Sequence, residues 1–160
     1  MKIRITVMSP LIFALIIFVA GTAGAQVSRK SVSGAEVTGT FSHGFTGKFR
    51  GSSSDIKILA LGKGKLKIGF DLIYPYVDSA GLLEANVGQA IGEADINGDT
   101  AVYSNNEFGT CRITIKFVRP GSIKVTQEGD SPDCGFGHNV TAEGVYRKIG
   151  SRKPVIKEVQ

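Results

Sequence analysis

From residue 45 onward, apolar and polar positions alternate in short rows, the period-2 signature of a strand with one buried face. Cys111, Ile113, Ile115 and Phe117 point one way, and Arg112, Thr114 and Lys116 the other. Leu66, Ile68, Phe70, Leu72 and Tyr74 form a second row opposite Lys65, Lys67 and Asp71. Ile56, Ile58 and Ala60 make a third row, and Ile123 and Val125 a shorter fourth. No long segment carries the i, i+3, i+4 apolar spacing of an amphipathic helix, and β-branched and aromatic residues are frequent. The pattern predicts strands near 45–50, 55–61, 65–76, 85–96, 100–105, 110–118, 122–127 and 142–148.

Turn chemistry falls between these rows. Gly62-Lys63-Gly64 separates Leu61 from Leu66, and Pro120-Gly121 follows Val118 with the residues a type II turn prefers. Asn97-Gly98 precedes Ala101 and favours the positive φ angles of a type I′ turn. Consecutive antiparallel strands with short connections predict an all-β domain, an up-and-down barrel of about eight strands or a compact sandwich. In one strand Gly88, Ala90, Gly92 and Ala94 share a face almost without side-chain bulk. Large residues packed across it explain such a stripe, and so does a small apolar ligand lying over it.

The chain begins differently. Lys2 and Arg4 precede an apolar run over residues 11–20, closed by Gly21-Thr22-Ala23-Gly24-Ala25. A basic head, a hydrophobic stretch and a small-residue exit are the pattern of a secretory signal peptide, with cleavage expected after Ala25. The run is shorter than the ~20 apolar residues that span a bilayer, so no integral membrane protein is expected after cleavage. Residues 26–40 then read as a flexible linker, 41–149 as the β domain and 150–160 as a basic tail. The whole chain of 160 residues has a formal net charge of +5. Arg147, Lys148, Arg152, Lys153 and Lys157 crowd its end, and Lys2 and Arg4 leave with the leader. What remains is nearly neutral, which points away from nucleic acid as a partner.

Export gives Cys111 and Cys134, the only cysteines, an oxidising compartment and a single intramolecular pairing. A metal or redox pair is the competing reading, but their spacing is far from C-x-x-C and no cluster of His or Cys joins them. Composition is that of an ordinary globular chain, excluding a collagen-like polymer, a disulfide-dense toxin and a charged disordered tail. No complete hydrolase, zinc or phosphate-loop motif occurs, and Lys67 stands where Gly62-Lys63-Gly64 would need its third glycine. Asp95, Asn97 and Asp99 open like a calcium loop, yet Thr100 and Asn106 replace its turn glycine and bidentate Glu. Glu93 and Asp95 share one side of their strand as a candidate carboxylate pair, and Asn139-Val140-Thr141 fits a glycosylation sequon. No cofactor or metal is expected.

Two loops carry candidate binding residues. Cys134-Gly135-Phe136-Gly137-His138-Asn139 sets Phe136 between two glycines beside the proposed disulfide, either presenting the ring to a partner or folding it inward to cap the barrel. His138 stands next to it. Ser42, His43, Lys48 and Arg50 form a second, more basic group.

Gly92-Glu93-Ala94-Asp95, Gly98-Asp99-Thr100-Ala101-Val102-Tyr103, Cys111-Arg112-Ile113-Thr114-Ile115-Lys116-Phe117, Cys134-Gly135-Phe136-Gly137-His138-Asn139-Val140 and Gly144-Val145-Tyr146 together resemble a group of small secreted bacterial β-domain proteins. That group is loosely associated with LprI-type lysozyme-inhibitor proteins, and the similarity covers roughly the C-terminal half of the mature domain. It implies export and a disulfide between the matching cysteines. The expected function is a periplasmic or secreted, non-enzymatic binding protein of the bacterial envelope. Its partner is a protein or an envelope component, with a lysozyme the most concrete candidate. A carrier of a small apolar ligand is the alternative from another class, and an envelope hydrolase working through Glu93 or Asp95 and a histidine is the third.

Overall fold

The computed structural model describes residues 31–157, so the predicted leader lies outside the described residues. Eight antiparallel strands follow one another around a closed barrel: β1 (Gly39–Gly44), β2 (Ser53–Gly62), β3 (Lys65–Val77), β4 (Leu83–Asn97), β5 (Thr100–Asn105), β6 (Cys111–Arg119), β7 (Ser122–Glu128) and β8 (Gly144–Gly150). β8 pairs back on β1 through Phe41↔Lys148 and Ser42↔Arg147. Alternation decides what fills the barrel: Phe41, Ile56, Ile58, Leu66, Ile68, Leu72, Ile113, Ile115, Phe117, Ile123 and Tyr146 are all buried. Edge-to-face contacts knit this interior, with Phe41 6.2 Å from Phe117 and Phe70 5.2 Å from Tyr103.

The first predicted strand is displaced. Residues 45–50 do not extend; they contain a 3-10 turn at Gly47–Phe49, and the strand runs over Gly39–Gly44 instead. Left-handed Gly47 (φ 64°) and Gly51 (φ 99°) bend the chain there. The segment read as a linker also carries structure within its described part. Ser33 caps a short helix, α1 (Gly34–Val37), whose Val37 is buried in the core. Lys148 Nζ donates to the carbonyls of Ala35 and Glu36, 2.9 Å each, and lies 5.6 Å from the Phe41 ring centre. Burial holds this amine below the ordinary lysine value, against the pull of Glu36. The tail is seated as well: Ile156 packs on the outer wall at Gly69, where a Cβ would lie 2.9 Å from its Cγ2.

Strand direction sorts the connections by length. The β2–β3, β4–β5 and β6–β7 turns lie at one end and are two residues long, closing through Gly62↔Lys65, Asn97↔Thr100 and Arg119↔Ser122. The type I′ geometry belongs to Lys63–Gly64, both at positive φ, and not to Asn97-Gly98. There the central pair is Gly98–Asp99 with Gly98 alone at positive φ, the type II′ arrangement. At the other end lie the connections 45–52, 78–82, 106–110 and 129–143.

Candidate functional site

The barrel wall is uneven at the long-loop end. β3 and β4 pair along their whole length, from Lys65↔Asp95 to Val77↔Leu83. β2 accompanies β3 only as far as Asp55↔Asp71, and β5 accompanies β4 only over Ala94–Asn97. The tip of this hairpin therefore outruns both neighbours. On its β2 side the Ser54 hydroxyl accepts from the Ile73 N–H at 3.1 Å and donates to the Ile73 carbonyl at 3.4 Å. Pro75, two residues on, turns its missing donor toward the same open edge, which blunts that edge against strand addition.

The other edge is covered by the 129–143 connection. Phe136 makes an antiparallel bridge to Gly88, the Gly137 N–H donates to the Val87 carbonyl at 2.9 Å, and the Asn86 amide donates to the His138 carbonyl at 2.8 Å. Cys111 and Cys134 are joined, with Cα atoms 4.8 Å apart, so a disulfide ties this crossing segment to the start of β6. The stripe of small residues in β4 now has its reason. A Cβ at Gly88 would stand 2.7 Å from Val140 Cγ1 and 2.9 Å from Phe136 Cβ, and one at Gly92 would stand 2.6 Å from Tyr103 Cε2. Protein side chains fill the space over that face.

The binding candidates of the two loops reach one end of the barrel but not one site, and the carboxylate pair lies at the other end. Phe136 is only 5 % exposed and packs 6.2 Å from Phe70, so it plugs the barrel and offers no anchor to a partner. His43 is likewise spent on packing: its Nδ1 donates to the Val145 carbonyl at 3.0 Å, and its ring lies between Phe45 and Tyr146. Ser42 faces outward, paired with Asp55 and Arg147 on the flanking strands. Lys48, with Nζ 5.1 Å over the Phe49 ring, and Arg50 are exposed on the 45–52 connection. His138 is exposed in a different neighbourhood. Glu93 and Asp95 lie on the outer wall toward the two-residue turns, where Asp95 meets Lys65 at 2.6 Å, at the opposite end from both histidines.

His138 belongs to an aromatic cleft that alternation alone does not reveal. Tyr74 and Tyr76 continue the inward row of β3, but β3 has outrun the wall there, leaving them 41 % and 36 % exposed. With Asn86, His138 and Asn139 they line a cleft of about 420 Å³. His138 and Asn139 also line a second, adjoining hollow of about 250 Å³ with Asp130, Ser131 and Pro132. Asn139 takes the left-handed conformation at φ 61°. Charge is unevenly distributed between the ends of the barrel. Asp78, Glu84, Glu107, Glu128, Asp130, Asp133 and Glu143 outnumber Lys48, Arg50 and Arg112 at the long-loop end. Lys63, Lys65, Lys67, Lys116, Arg119, Lys124 and Lys148 outnumber Glu36, Glu93, Asp95 and Asp99 at the other. Comparison with protein-family models, curated proteins and solved structures finds no match to this chain.

Proposed function

We propose that this chain is an exported, non-enzymatic binding protein of the bacterial envelope that recognises its partner through the long-loop end of the barrel. The observation that carries this reading is the state of that end. Phe136 and the disulfide close it from within, while Tyr74 and Tyr76 stay on its surface. A recognition surface held rigid before binding loses little entropy on association. Export rests on the leader pattern and suits a disulfide-bonded domain. A lysozyme is the most concrete partner, as the resemblance in the C-terminal half implies, and the acidity of this end favours a cationic protein. An apolar-ligand carrier is less well supported, because Phe136, Val140 and Tyr103 occupy the space over Gly88 and Gly92. The hydrolase reading loses its geometry, with Glu93 and Asp95 remote from either imidazole.

The test is titration of the purified chain into bacteriolysis assays with chicken-, goose- and invertebrate-type lysozymes separately. Dose-dependent inhibition of one type is expected, weakened by Tyr76→Ala at the long-loop end. No inhibition at a large molar excess discards lysozyme as the partner and leaves a component of the envelope itself.

A further inference from the structure

We infer that the cleft between the β3–β4 hairpin tip and the 134–140 segment is a binding site for a neutral oligosaccharide. This inference rests on the long-loop end being the recognition face and names what one part of it takes. One face of a pyranose ring carries axial C–H bonds and is apolar, so it lies well against an aromatic ring; its equatorial hydroxyls radiate from the edge and need donors and acceptors in that plane. Tyr74 and Tyr76 supply exposed rings, and Asn86, His138 and Asn139 supply polar groups beside them. Among the described residues, no hydrogen bond or ion pair uses the two tyrosine hydroxyls, the His138 ring or the Asn139 side chain. Their polar atoms can therefore bond a ligand.

Other ligand classes fit less well. Neither hollow is lined by Lys or Arg, and Asp130 lines the second, so an anion meets no counter-charge. A purely apolar ligand would remain largely hydrated in so open a cleft and would strand the polar groups around it. A peptide adding a strand to the hairpin meets Pro75 on the open edge of β3 and the 134–140 segment on the edge of β4. The cleft and the hollow share His138 and Asn139, so two consecutive sugars fit the arrangement better than one. Preorganisation is built in: the Cys111–Cys134 bond and the Asn86 contact fix the backbone that carries both shared residues.

The experiment is calorimetric titration of the full chain with the β-1,4-linked hexamer of N-acetylglucosamine, and with cello- and malto-hexaose, alongside tyrosine fluorescence, which no Trp obscures. Saturable binding of at least one hexamer is expected. Tyr76→Ala should weaken it at least tenfold, and Tyr76→Phe should retain most of it through the ring. Asn139→Gly keeps the left-handed backbone but removes the amide, and should also weaken binding; Lys124→Ala, exposed at the opposite end of the barrel, should not. Absence of saturable binding by all three sugars overturns the inference, and so does binding indifferent to both Tyr76→Ala and Asn139→Gly. Inhibition of a lysozyme that Tyr76→Ala abolishes, without sugar binding, overturns the saccharide site while sustaining the recognition face.

Discussion

Tyr146 and Tyr103 enter the barrel from β8 and β5, and both phenols keep their protons more tightly than usual. Burial pushes Tyr146 far up, with the charge of Asp55 adding to it, and its hydroxyl donates to the Ala142 carbonyl at 3.0 Å. Burial also raises Tyr103, partly offset by a hydrogen bond to Asn105. The unfolded chain releases these protons from pH 10.0 upward, the ordinary value, whereas the folded chain retains them. Above that pH the unfolded state binds fewer protons, so stability falls as pH rises. Urea midpoints measured from pH 8 to 11 should hold below the ordinary tyrosine value and drop beyond it; a rising midpoint there contradicts the assignment. Glycine offers a second residue-scale test. Gly88→Ala drives a methyl group into Val140 and Phe136, and overpacking of this kind costs ~1–3 kcal/mol. Gly44→Ala meets nothing within 4 Å and should leave the midpoint nearly unchanged.

Among the elements, the 129–143 connection takes the place of a strand along the upper edge of β4, and the disulfide makes that possible. Closing a loop of this length stabilises by ~3 kcal/mol in the chain-entropy account. Replacing both cysteines by Ser should lower the thermal midpoint by ~10 °C for a domain of this size. The Gly137 amide, which donates to Val87, should become the early site of hydrogen exchange. Unchanged exchange at Gly137 in the double variant would show that packing alone holds the segment. The cysteine pair, the rows of β2 to β7 and two of the three tight turns were legible in the sequence, because each is local or unique. The covering of β4 was not, since Phe136 and Gly88 meet over a long stretch of chain without any shared period. β1 was hidden because Phe41 is its single large apolar residue among Gly, Thr, Ser and His. Tyr74 shares the inward face of Leu72, yet it is largely exposed where Leu72 is buried. Periodicity states which way a side chain points, not how far its strand outruns the neighbours.

Over the whole molecule, the division of the connections coincides with a division of charge: two-residue turns and α1 at a basic end, long loops and exposed aromatics at an acidic one. Such a polarity orients the approach of a cationic partner and acts mainly on the association rate, through fields that salt screens over about 8 Å at physiological strength. If a lysozyme is the partner, its association rate should fall severalfold between low and physiological salt while dissociation changes little, as read by surface plasmon resonance. The most direct measurement is residue-resolved nuclear magnetic resonance of the isotope-labelled chain, titrated separately with chicken-type lysozyme and with the N-acetylglucosamine hexamer. Amide shifts from at least one titrant should cluster in residues 45–52, 74–86, 106–110 and 129–139. Shifts confined to the two-residue turns around Lys63, Asp99 and Pro120 would contradict recognition through the long-loop end, and no shifts from either titrant would discard both lysozyme and the hexamer as its ligands.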